Sequence, residues 1–198
     1  MTTWSAAVLV GGRARRLGGR AKPLLDVGGR TVVERQAAAV TALGGTVTLV
    51  AAQDAAPADW PYPVVRDLMA GGALAGLHAA LTHAATPYVL VLAGDLPFLT
   101  VPFLAALLER RHAAEAVVPR PAGRWQPLCA VYQRTVAGKA QARLARGLWR
   151  VTDLLDDLRV EAVDDVALAP FDPHGRLLLN VNTPDDYQRA VLHAVQES

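Results

Sequence analysis

Ser5-Ala6-Ala7-Val8-Leu9-Val10-Gly11-Gly12-Arg13-Ala14-Arg15-Arg16-Leu17-Gly18-Gly19-Arg20-Ala21-Lys22-Pro23 reads as a short uncharged run that empties into a loop rich in glycine and arginine. Ser5 to Val10 has the length and composition of a buried strand, and Gly11-Gly12 stops it. Glycines let backbone N–H groups approach phosphate oxygens, and arginine and lysine neutralise phosphate charge. The loop is therefore a phosphate loop by composition. It lacks the Gly-Lys-Ser/Thr ending of a Walker A loop and the Gly-x-Gly-x-x-Gly dinucleotide fingerprint.

Outward from this stretch, strand-like and helix-like segments alternate. The spacing predicts a helix over 31–43 stopped by Gly44-Gly45, a strand over 46–51 and a short strand over 63–66. A helix over 74–84, entered through Gly71-Gly72, precedes the clearest buried strand, Tyr88 to Ala93. Beyond it the pattern gives a helix over 103–112, strands over 116–119 and 128–132, and a helix over 136–146. Weaker strands are expected at 160–163 and 177–179, then a closing helix over 184–195 with Thr183 as its cap and Pro184 in its first turn. Strands separated by helix-length segments imply βαβ units, hence a mostly parallel sheet covered on both faces. The segment around 125–172 alternates least cleanly, so an antiparallel excursion or a small lobe is expected there.

Composition narrows the function. At 198 residues and 52% hydrophobic, the chain fits one domain with a substantial core. Twenty basic side chains against 18 acidic ones are too even a balance to indicate nucleic-acid or membrane binding. No apolar run is long enough to span a bilayer and Met1 to Val10 lacks the parts of a secretory signal, so a cytoplasmic protein is expected. The lone Cys129 is expected to be a packing residue. Only Lys22 and Lys139 are lysines among the 20 basic residues, which singles out Lys22 within its glycine-arginine loop.

Loops that follow strands carry the ligands of such sheets. In Ala93-Gly94-Asp95-Leu96-Pro97, Asp95 is the candidate metal ligand, since one carboxylate with triphosphate oxygens and waters completes the octahedral shell magnesium demands. In Arg66-Asp67-Leu68-Met69-Ala70-Gly71-Gly72-Ala73-Leu74-Ala75-Gly76, the paired glycines allow close approach to a base or ribose, and Asp67 can accept hydrogen bonds from them. Asn180 and Asn182, one residue apart in Asn180-Val181-Asn182-Thr183-Pro184, suit a heterocyclic acceptor such as a pterin across the crevice from the first loop. His78 and His83 are five apart on one helix and do not share a face, which disfavours a zinc pair.

Taken in order, these loops resemble the molybdenum cofactor guanylyltransferase family and its nucleotidyltransferase relatives. That family's Leu-Ala-Gly-Gly…Ser…Arg-Met-Gly…Lys is matched by Leu9-Val10-Gly11-Gly12, Ala14, Arg16-Leu17-Gly18 and Lys22. Its Asp…Gly-Pro-Leu-Ala-Gly is matched by Asp67 and Gly72-Ala73-Leu74-Ala75-Gly76, and its Asp-Met-Pro by Asp95-Leu96-Pro97. Its Pro-Leu segment resembles Gln126-Pro127-Leu128, and its Asn-x-Asn-Thr-Pro-Asp/Glu ending matches Asn180 to Asp185. The chain departs from the pattern at Val10, Ala14, Leu17, Ala73 and Gly94, and Ala51-Ala52-Gln53 stand where the family carries an asparagine.

The resemblance implies a Rossmann-like, three-layer α/β/α fold of the nucleotidyltransferase type, as one domain over 1–198 with an acceptor-side segment around 125–172. It implies transfer of GMP from GTP to the terminal phosphate of molybdenum-bearing molybdopterin, with Mg2+ as cofactor and release of pyrophosphate. Leu9, Val10, Gly11, Gly12, Lys22, Asp67, Gly72, Gly76 and Asp95 would bind the nucleotide, and Arg16, Lys22 and Asp95 would be catalytic. Asp95 would hold the metal, and Asn180 and Asn182 would face the pterin. GTP and molybdopterin would be the partners, with transient contact with other molybdenum cofactor biosynthesis proteins. Two alternatives stay open: a related nucleotidyltransferase using CTP or a sugar phosphate, and a nucleotide-binding regulatory protein without turnover.

Overall fold

The computed structural model describes residues 3–11, 22–52, 61–67, 69 and 71–196. Seven strands form one sheet: β1 (Trp4–Leu9), β2 (Val47–Ala52), β3 (Val64–Asp67), β4 (Tyr88–Ala93), β5 (Ala116–Pro119), β6 (Cys129–Gln133) and β7 (Val160–Val163), in the spatial order β3-β2-β1-β4-β6-β5-β7. The pairs β3–β2, β2–β1, β1–β4 and β5–β7 are parallel. β6 runs antiparallel to both β4 and β5, which is the excursion expected after residue 125.

Four helices cover the sheet, two on each face. Because side chains alternate along a strand, Ala6 and Val8 of β1 point to one face and Ala7 to the other. The first face packs against α1 (Val32–Ala42) and α3 (Val101–Glu109) through Val33, Val40, Phe103 and Leu104. The second packs against α2 (Gly72–His83) and α4 (Val136–Ala145) through Leu74, Leu77, Val136 and Ala140. The result is the three-layer α/β/α architecture. α1 starts at a capping box in which Thr31 and Glu34 satisfy each other's backbone donors. A short helix, α5 (Asp165–Leu168), is capped by Asp164 and was not indicated by periodicity. The last helix, α6 (Pro184–Val195), has Thr183 as cap and Pro184 in its first turn, as expected. It closes a separate apolar cluster of Leu25, Val27, Phe98, Val181 and Ala190.

The strand expected at Leu177–Leu179 is a turn. The Asp172 carboxylate takes the backbone N–H groups of Arg176 at 2.7 Å and Leu177 at 3.1 Å, and the Leu179 N–H bonds back to the Arg176 carbonyl at 3.0 Å. A local carboxylate has outcompeted the sheet for these donors. The apolar residues that suggested a strand are explained by burial of Leu177 in the core beneath the turn. Asn180 and Asn182 therefore follow a turn that leads into α6.

Candidate active site

Strand order reverses at β1, which has β2 on one side and β4 on the other, so the crevice beyond the carboxyl ends of β1 and β4 is where this topology places a ligand. Leu9 and Ala93, the last residues of these two strands, are partners in register. The Gly94 N–H then donates to the Leu9 carbonyl at 3.0 Å, carrying the ladder one residue further. A Cβ at position 94 would lie 2.9 Å from that oxygen and 2.7 Å from Pro23 Cγ, so a side chain there would push the loop off the strand end. Glycine lets the turn close and delivers Asp95 over β1.

Three further contacts fix this turn. Gln36, buried on α1, donates from Nε2 to the carbonyls of Ala93 at 2.8 Å and Leu96 at 3.0 Å, bracketing Asp95. Its neighbour Arg35 donates from Nε to the Pro97 carbonyl at 2.8 Å. The Val181 N–H donates to the Asp95 carbonyl at 2.9 Å, which ties the Asn180–Asn182 segment to the same loop. Sequence reading missed Gln36 as a functional residue. Its signal was present: an amide at a helical position flanked by Val32, Val33, Ala37 and Val40, the apolar face of α1.

Asp95 and Lys22 form the charged centre. Lys22 Nζ lies 3.3 Å from Asp95 Oδ2 and also donates to Asn182 Oδ1. The two side chains are 23% and 20% exposed, so the pair is neither sealed nor fully hydrated. Burial pushes the Asp95 carboxyl above the usual aspartate range, and the Lys22 ammonium partly offsets that rise. Asn182, expected across the crevice from the first loop, instead sits against that loop's lysine.

A cleft of 610 Å³ opens beside this pair along the carboxyl ends of β3, β2, β1 and β4. Of the residues expected to bind a nucleotide, Leu9, Gly11, Lys22, Asp67, Gly72, Gly76 and Asp95 line it. Val10 does not: it is 3% exposed and packs in the core on the α1/α3 face, because alternation along the strand turns it to the opposite face from Leu9. Gly12 and Arg16 lie outside the described residues. Asn180 is exposed and is not part of the lining. Ala51 and Ala52 form part of the floor, with no side-chain donor or acceptor. At the far rim Asp67 accepts the Met69 N–H at 2.9 Å. Gly71 has φ +145°, and a Cβ there would lie 2.4 Å from Leu144 Cδ2, so glycine is needed for the backbone and for the fit against α4.

The remaining chemically capable residues stand apart. Cys129 is buried in the sheet, and burial pushes its thiol up to about 12, which leaves no thiolate for nucleophilic chemistry. His83 bonds the Ala79 carbonyl through Nδ1, while His78 meets Thr82. Among the described residues no three His, Cys, Asp or Glu side chains come together to hold a metal ion. A cation at Asp95 would thus draw most of its shell from water and substrate oxygens. That is how magnesium is usually held beside a polyphosphate, and the donor set fits it.

Residues 6–162 match the family model described as the MobA-like NTP transferase domain. A probable molybdenum cofactor guanylyltransferase of Pelotomaculum thermopropionicum is 32% identical over 94% of this chain and 91% of its own length. The crystal structure of molybdopterin-guanine dinucleotide biosynthesis protein A from Archaeoglobus fulgidus superposes with a TM-score of 0.81, at 26% identity, over 97% of this chain and 99% of that one. A Mycobacterium tuberculosis protein solved in complex with manganese is 25% identical, with a TM-score of 0.66 over 96% of this chain and 98% of that one.

Proposed function

Because the chain belongs to the MobA-like NTP transferase domain family, we propose that it transfers GMP from GTP to the terminal phosphate of molybdenum-bearing molybdopterin, using magnesium and releasing pyrophosphate. The observation that carries this reading is the Asp95–Lys22 pair at the β1/β4 reversal point, lining a glycine-rich cleft of 610 Å³. Relatives named for guanylyl transfer to molybdenum cofactor support the choice of donor and acceptor.

In this reaction an oxygen of the acceptor phosphate attacks the α-phosphorus of GTP, and the bond from that phosphorus to the bridging oxygen of pyrophosphate breaks. The attacking phosphate is already anionic, so the chain must supply position and positive charge more than a general base. Lys22 neutralises the triphosphate, and Arg16 adds a second positive charge as pyrophosphate leaves. Gly11, Gly12, Gly72 and Gly76 let the nucleotide lie close to backbone, and Asp67 accepts from its hydroxyl or amino groups. Asn180 and Asn182 orient the acceptor, with Asn182 also steadying Lys22. Asp95 would hold the magnesium ion, which would supply charge neutralisation at the phosphate oxygens.

The same reading makes residues 1–198 one catalytic domain working in the cytoplasm, with GTP, molybdopterin and, transiently, other molybdenum cofactor biosynthesis proteins as partners. A pyrophosphate-release assay with each of the four ribonucleoside triphosphates, magnesium and molybdopterin tests it. Release from GTP only when molybdopterin is present is expected. Preferential use of CTP, or binding of GTP without pyrophosphate, would overturn it.

A further inference from the structure

Three tryptophans belong to described parts of the chain, and two have settled places. Trp4 is buried in the core, and Trp125 carries the Arg120 guanidinium 4.6 Å from its ring centroid. Trp149 is 58% exposed, next to Leu148, which is 40% exposed. Its position follows from the end of α4. The N–H groups of Gly147 and Leu148 turn back onto the carbonyls of Leu144 and Arg143, both at 3.0 Å, and close the helix. Leu144 itself is buried in the core beneath α2 and α4.

This turn comes down on the first residues of α2. Leu144 fills the space that a side chain at Gly71 would need, and Trp149 Cδ1 lies 3.6 Å from where that side chain's Cβ would be. Gly71 lines the cleft together with Met69, Gly72 and Ala73. An exposed indole therefore stands at the edge of the cleft's glycine end, just beyond the lining residues. The charged centre can hold phosphate, and among the described residues that line the cleft none carries an aromatic ring.

Resting on the nucleotidyl-transfer reading, we propose that the Trp149 indole stacks on the planar fused-ring heterocycle of a substrate held at the glycine end of the cleft, the guanine of GTP or the pterin of the acceptor. Both rings have the same demand, an apolar face covered by a polarisable one while their edges keep hydrogen-bond partners. Loss of a base–aromatic stack weakens binding by roughly tenfold or more.

Intrinsic fluorescence tests the proposal without turnover. GTP alone and molybdopterin alone are titrated into the wild-type chain, Trp149→Phe and Trp149→Ala. At least one of the two substrates is expected to quench the wild type, with the quench largely lost in Trp149→Phe, and the substrate that does so is the one stacked. Steady-state kinetics supply the second readout. Trp149→Ala should raise KM for that substrate about tenfold with kcat little changed, and Trp149→Phe, which keeps an aromatic face, should recover most of the loss. An unaltered quench in Trp149→Phe for both substrates, or unaltered KM values in Trp149→Ala, would overturn the assignment. A wild-type chain that is quenched by GTP yet releases no pyrophosphate would refute the transfer reading while leaving the stacking result standing.

Discussion

At Asp95, burial and Lys22 pull the carboxyl in opposite directions, and burial prevails. The raised position has consequences of known sign. A carboxyl that binds its proton more tightly in the folded state than in the unfolded one makes its ionised form a net cost, present at neutral pH and relieved as pH falls through the folded pKa. Asp95→Asn is therefore expected to leave the melting temperature unchanged or raise it, as thermal denaturation at neutral pH would read. Under the proposed function activity moves the other way, because a cation held at Asp95 would need the carboxylate. The acid limb of kcat/KM for GTP should lie above the ordinary aspartate range. Lys22→Met removes the charge that holds the carboxyl down, so the limb should shift further upward, with KM for GTP raised at least tenfold, a loss on the order of 1.4 kcal/mol. The stability cost of losing this partly exposed pair should stay within about 1 kcal/mol. A pH–rate profile whose acid limb is the same in both chains would remove Lys22 from Asp95's surroundings in solution. Both residues were legible in the sequence because each stands in a loop that follows a strand. Val10 was not, since a motif gives order along the chain and not the side of the strand to which a side chain turns.

Helix α1 carries a second duty besides covering the sheet. Its Gln36 places two donors on the carbonyls either side of Asp95, and Arg35 adds one on Pro97. Gln36→Leu keeps most of the volume and strands those carbonyls in a buried site, at a cost of about 1–3 kcal/mol. The expected result is a lower denaturation midpoint together with a reduced kcat, because the Asp95 loop loses its brace. A normal kcat in a destabilised chain would make Gln36 a packing residue alone. Elements were read well where local pattern and tertiary demand agree, as in Tyr88–Ala93 or the Thr183-capped α6. They were misread where one side chain competes with the pattern. Asp172 turns a strand-like Leu177–Leu179 into a turn, and Asp164 nucleates a short α5 whose length leaves no period to detect. The antiparallel β6 showed only as irregular alternation after residue 125, since strand direction depends on where a connection returns and not on the composition of the strand.

For the whole molecule, a cleft that spans four strand ends couples ligand occupancy to stability. GTP with magnesium at one hundred times its dissociation constant should stabilise the folded chain by about 2.7 kcal/mol, which for a chain of this size raises the melting temperature by roughly 5–10 °C. The same addition to Asp95→Asn should give a markedly smaller rise if the cation is shared between carboxylate and phosphate. The three-layer arrangement was legible because alternating strands and helices leave few ways to bury both faces of a sheet. The joining of Asn182 to Lys22 was not, because 160 residues separate them and no local pattern links them. The most direct test of the account is the rate of pyrophosphate release from GTP, with magnesium and molybdopterin, by the wild-type chain and by Asp95→Asn held to the same folded fraction. The account predicts acceptor-dependent release by the wild type and a loss of at least about a thousandfold in the variant, equal to some 4 kcal/mol of transition-state stabilisation. Release by Asp95→Asn at the wild-type rate would contradict it.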